Sequence, residues 1–145
     1  MPIENGEYEI TSSGYTIARS VTEDRSLNPK RILSLPKGLE AQEWTVERVD
    51  DDKYLLKAGG APTGEHEGHV YAFLIDQDKA EQWILEPVQS SHPNCFIILT
   101  KDRKKGWIVQ EGSTRDDLKQ VKCEELLGSD GDYSPQEIFQ FSPVA

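Results

Sequence analysis

Cysteine and methionine are scarce in this chain: Cys95, Cys123 and a single Met in 145 residues. A dense disulfide framework is therefore excluded, and two isolated thiols are expected to serve as small buried hydrophobes. No apolar run approaches the roughly 18 residues that a membrane-spanning helix needs. The opening Met1-Pro2-Ile3-Glu4-Asn5 has neither the basic nor the apolar region of a secretory signal, so a cytoplasmic location is expected. Basic residues are also few, 16 Lys and Arg against 26 Asp and Glu, for a formal net charge of −10. That balance argues against nucleic-acid binding, which needs a basic face to displace counterions. It favours solubility and steering towards basic partners. No stretch has convincing helical periodicity.

What is present is a repeat. Glu43-Trp44-Thr45-Val46-Glu47-Arg48-Val49, Gln82-Trp83-Ile84-Leu85-Glu86-Pro87-Val88 and Ile138-Phe139-Gln140-Phe141-Ser142-Pro143-Val144 share one pattern. Each has an aromatic residue, a bulky apolar residue two later and Val five later, behind a Gln/Glu pair. Spacings of 39 and 56 residues between the aromatics suit a repeat architecture with insertions. Gly6 to Thr11 alternates polar and apolar as a half-buried strand does. Further strand signals lie around Tyr15–Arg19, Arg31–Leu35, Lys53–Lys57, His69–Ile75, Cys95–Leu99, Trp107–Val109 and Val121–Leu126. About twelve short strands in three groups of four predict an all-β chain of one domain, residues 1–145. The expected fold is a β-trefoil, a six-stranded barrel capped by hairpins. Gly59 to Gly68 reads as a long glycine-rich loop, a place where a second partner would fit.

No catalytic constellation is present. His66 and His69 lack a third ligand at metal-site spacing, and there is no nucleophile elbow, phosphate-binding glycine pattern or paired-cysteine motif. Asp130-Gly131-Asp132 lacks the rest of a calcium loop. An enzyme is not expected, nor a cofactor or a metal. Gln42-Glu43-Trp44 fits the Gln-x-Trp signature of ricin-type trefoil lectins, but Glu81-Gln82-Trp83 is one place off and Gln136-Glu137-Ile138 has no Trp. The plainer reading of Trp44 is a barrel-core residue, with a carbohydrate-binding trefoil as the alternative.

The charged segment from Thr22 to Arg31 is the most informative loop. Trypsin-type proteases hold an Asp at the base of the pocket that receives a long basic side chain. Arg25 followed by Ser26 offers an ordinary cleavage pair. Lys30 lies close to the next strand and is less free to protrude, and Asn28-Pro29 is a poor substrate bond. A rigid extended loop loses little entropy on docking, which favours tight inhibition.

With these residues in view, the chain resembles the small mushroom β-trefoil serine protease inhibitors of the cospin and cnispin group. The resemblance runs the whole length. It includes Gly6-Glu7-Tyr8, Glu23-Asp24-Arg25-Ser26-Leu27-Asn28-Pro29-Lys30-Arg31-Ile32, both Trp strands and Phe139-Gln140-Phe141. It implies an acidic, monomeric, cytoplasmic inhibitor of trypsin-like serine proteases that defends fruiting bodies against feeders. It also implies a reactive loop between the second and third strands, residues 22–30, with Asn28 entering the pocket. Pocket chemistry alone favours Arg25, so Asn28, Arg25 and Lys30 all stand as candidates, with Ser26, Leu27 and Pro29 shaping the loop. Other mushroom trefoils inhibit cysteine proteases, which is a second alternative.

Overall fold

A computed structural model describes residues 3–19, 26–36, 38–39, 41–75, 77–89, 92–128 and 132–144. The strands in chain order are β1 (Gly6–Ser12), β2 (Tyr15–Ala18), β3 (Lys30–Arg31), β4 (Leu33–Leu35), β5 (Trp44–Arg48), β6 (Lys53–Ala58) and β7 (Ala61–His66). They continue as β8 (His69–Ala72), β9 (Trp83–Pro87), β10 (Cys95–Leu99), β11 (Gly106–Ile108), β12 (Lys119–Gln120), β13 (Lys122–Glu124) and β14 (Phe139–Pro143). Two single 3₁₀ turns, Gln77–Lys79 and Pro135–Glu137, are the only helical segments among the described residues.

Six of the strands close on themselves. β1 pairs with β5, β5 with β6, β6 with β9, β9 with β10, β10 with β14, and β14 with β1, all antiparallel. Closure leaves these six strands with no exposed edge. The hairpin pairs β2–β4, β7–β8 and β11–β13 form the cap. β3 and β4 are one trefoil strand interrupted at Ile32, and β12 and β13 are one interrupted at Val121.

Both interruptions have the same cause. The Ile32 N–H donates to the Val70 carbonyl (3.1 Å), Val70 N–H to Val121 (3.0 Å) and Val121 N–H to Ile32 (2.8 Å). This closed triangle of backbone hydrogen bonds joins the three repeats, and all three side chains are fully buried. Merging the two interrupted pairs turns 14 segments into 12 strands, three groups of four. The fold is the β-trefoil that the repeats predict.

The repeated aromatics Trp44, Trp83 and Phe139 each start a barrel strand and surround Trp107. Their ring centroids lie 5.7, 5.2 and 5.9 Å from that of Trp107. Trp44 Nε1 donates to the Ile17 carbonyl at 2.6 Å, and Trp83 Nε1 to Thr63 Oγ1 at 2.9 Å. Trp44 and Trp83 are 1% and 0% exposed, so neither ring is available to stack on a sugar. The core reading of the Gln-x-Trp segment holds.

The expected loop from Gly59 to Gly68 is not a loop. β7 occupies most of it, between two two-residue turns whose central residues all have left-handed backbone: Gly59 and Gly60 (φ 56° and 85°), then Glu67 and Gly68 (φ 51° and 80°). Paired positive φ values suit the twist of tight hairpins. Gly64 is needed for contact, since a Cβ there would fall 2.6 Å from the Lys79 carbonyl oxygen. These glycines serve turns and packing, and the segment offers no long loop to a second partner.

Glu137, 1% exposed, accepts the N–H groups of Leu127 (2.6 Å), Gly128 (3.2 Å) and Ser134 (3.1 Å). A buried carboxylate is tolerable when its oxygens are so occupied. Here it ties the segment after β13 to the turn before β14.

Candidate functional site

Two buried basic residues, Arg19 and Lys30, bracket the segment that joins β2 to β3. At its start Arg19 is 7% exposed and donates from NH1 to the Ala58 carbonyl at 2.9 Å. Gln42 lies beside this arginine and leaves no room for a Cβ at Gly59. The glutamine of the Gln-x-Trp segment is thus packed into the base of the loop. At the other end Lys30 is 6% exposed and donates from Nζ to Ser26 Oγ at 3.3 Å.

Lys30 is inward because β3 alternates: Lys30 and Ile32 face in, Arg31 faces out. Ser26 is half-buried, and its Oγ also accepts the Asn28 N–H at 3.4 Å. This is a local side-chain turn of the kind serine favours. Above it Leu27 (62% exposed), Asn28 and Pro29 stand out in solvent. Pro29 fixes its own φ and holds Asn28 in an extended conformation.

The structure places five of the six candidate residues. Among the described residues of the loop, Leu27, Asn28 and Pro29 are exposed, while Lys30 is turned inward and bonds to the half-buried Ser26. Arg25 lies outside the described residues. The sequence reading missed Arg19 and the inward turn of Lys30. The strand alternation Lys30-Arg31-Ile32 carried the second signal. Arg19 could not be found that way, because its acceptor lies 39 residues away.

Chemistry elsewhere is structural. Cys95 and Cys123 are both buried free thiols. Burial first, then the negative field of Glu65 and Glu81, pushes the Cys123 thiol up to about 12. A thiol so held is no nucleophile at neutral pH. His66 and His69 face each other across the β7–β8 hairpin, and His66 packs edge-on to Tyr71. Among the described residues no three His, Cys, Asp or Glu are grouped to hold a metal ion.

The profile of the peptidase inhibitor I66 family matches residues 1–143. The chain belongs to that family. It is a peptidase inhibitor and not an enzyme. Among similar proteins, a serine protease inhibitor of Lentinula edodes is 40% identical over 110 residues, 75% of this chain and 76% of the relative. The structure of a proteinase inhibitor from Coprinopsis cinerea superposes with a TM-score of 0.85 at 35% identity, covering 98% of this chain and 99% of that one. SeviL bound to asialo-GM1 saccharide superposes with a TM-score of 0.67 at 15% identity, over 98% of this chain and all of the other, which shows the shared trefoil fold alone.

Proposed function

We propose that this I66 inhibitor blocks trypsin-like serine proteases by presenting the 22–30 loop as a substrate, with Asn28 in the primary pocket. The observation that carries the reading is the exposed Leu27-Asn28-Pro29 stretch beside the half-buried Ser26 and the buried Lys30 that bonds to it. The name of the Lentinula edodes relative points to serine proteases as the class.

An asparagine amide can donate a hydrogen bond to the pocket carboxylate in place of a cation. Attack on the Asn28 carbonyl would have to expel the nitrogen of Pro29, which carries no hydrogen and whose ring restrains the chain, so the bond is slow to break. The Asn28 N–H is held only by a long 3.4 Å contact and can pass to an acceptor in the protease cleft. Lys30, buried and turned to Ser26, acts as support in this reading, and Arg25 is the rival for the pocket. The same reading casts the protein as a cytoplasmic monomer that acts in defence against feeders.

The test is titration of trypsin with the wild type, Asn28→Ala and Arg25→Ala, each checked for folding by circular dichroism. Asn28→Ala is expected to weaken inhibition by about 30-fold or more, as loss of an anchor of about 2 kcal/mol does. Arg25→Ala is expected to stay within about threefold, as most interface positions do. Loss confined to Arg25→Ala would move the pocket residue there. A wild type inert against trypsin at micromolar concentration would overturn the proposal.

A further inference from the structure

We infer that Ile75 is a second, apolar anchor for the bound protease, beside the Leu27-Asn28-Pro29 stretch. The inference rests on the loop reading above and extends its contact surface to the segment following β8.

The ladder between β3 and β8 places it there. Lys30 pairs with Ala72 and Arg31 with Tyr71, antiparallel. The chain entering β3 and the chain leaving β8 therefore meet at the same end of one ladder. Leu27 lies three residues before Lys30, and Ile75 three residues after Ala72. Three residues of extended chain reach at most about 11 Å, and paired Cα atoms lie about 5 Å apart. Leu27 and Ile75 are therefore within about 27 Å of each other whatever path each chain takes. That bound lies below the width of a standard interface of about 800 Å² per partner, roughly 32 Å across, so a single interface can include both.

The exposure pattern supports one surface. Five large hydrophobic residues are exposed among the described residues, and two of them, Leu27 at 62% and Ile75 at 63%, flank this ladder end. A scattered exposed apolar residue is ordinary. Two on the chains that meet at the end of the ladder beside a proposed reactive residue fit the apolar part of an interface.

Two backbone hydrogen bonds hold the chain close to Ile75. The Phe73 N–H donates to the Pro62 carbonyl at 2.8 Å, and Gln77 N–H to Ile75 at 2.8 Å. Leu74 packs on the core while Ile75 faces solvent. Little ordering entropy is then lost when Ile75 docks.

The experiment measures trypsin association and dissociation rates for wild type, Ile75→Ser, Leu127→Ser and Asn28→Ala, with sedimentation of each free chain. Leu127, 91% exposed, is the control for loss of an exposed apolar side chain elsewhere. Neither serine variant changes net charge, so association by steering stays constant. Ile75→Ser is expected to weaken inhibition about tenfold through faster dissociation, with Leu127→Ser at wild-type values.

Weakening by Asn28→Ala with Ile75→Ser at wild-type values would overturn this inference and leave the loop reading intact. Weakening by Ile75→Ser with Asn28→Ala inert would refute the loop reading and the two-anchor surface together. An altered sedimentation of the free Ile75→Ser chain would make the patch a contact between copies and overturn the inference.

Discussion

Replacing each core Trp by Phe separates packing from hydrogen bonding at the centre of the trefoil. Trp44, Trp83 and Trp107 are all at most 1% exposed. Each change removes about 40 Å³, a cavity cost of about 1 kcal/mol, and the lost apolar burial adds about 1 kcal/mol.

The indole N–H groups then distinguish the sites. Trp44→Phe also removes the 2.6 Å bond to the Ile17 carbonyl, and Trp83→Phe the 2.9 Å bond to Thr63 Oγ1. Each adds about 1 kcal/mol, and more where the acceptor is left dry. The buried Trp107 Nε1 has no acceptor among the described residues. Its removal returns about 1–3 kcal/mol of desolvation cost.

Trp44→Phe and Trp83→Phe are therefore expected to cost about 3–4 kcal/mol, and Trp107→Phe to fall within about 1 kcal/mol of the wild type in either direction. Urea unfolding followed by far-ultraviolet circular dichroism measures the difference without relying on indole fluorescence, which the substitutions themselves alter. Equal costs at all three sites would refute the reasoning and show that the Trp107 N–H is satisfied in solution.

Other outcomes follow from the two notable carboxylates. Glu137→Ala strips the acceptor from three backbone N–H groups, an expected loss of about 3 kcal/mol, measured by urea unfolding. Trypsin inhibition by the folded fraction should be unchanged, since Glu137 binds residues of the 127–134 region rather than the 26–30 loop. At Glu81, burial pushes the carboxyl above its ordinary 4.5, against the hydrogen bond it accepts from Glu65 N–H. The folded chain then holds that proton more tightly than the unfolded chain, so the group's contribution falls as pH rises from the unfolded pKa through the raised folded one. Glu81→Gln keeps an acceptor for Glu65 and removes the titration. Its stability relative to wild type should rise between pH 4 and pH 7 in paired urea titrations, and a fall would contradict the sign.

The sequence by itself determined the trefoil. Period-two alternation and the thrice-repeated aromatic strand are local patterns, and each records which side of a strand faces the core. The exposed candidates Leu27, Asn28 and Pro29 were legible for the same reason, because Pro and a charged neighbourhood act on adjacent residues. Tertiary structure decided what depends on distant partners. Trp107, outside the repeat, became the hub only when three repeats converged on it. Gly59 to Gly68, a loop by composition, became a buried strand between tight turns because β6 and β8 pair with it. Arg19 became an anchor through Ala58, and the chain entering β3 and the chain leaving β8 were brought to one end of the ladder from Lys30 to Ala72. Burial is a property of what packs against a residue, and in a closed barrel most of that comes from elsewhere in the chain.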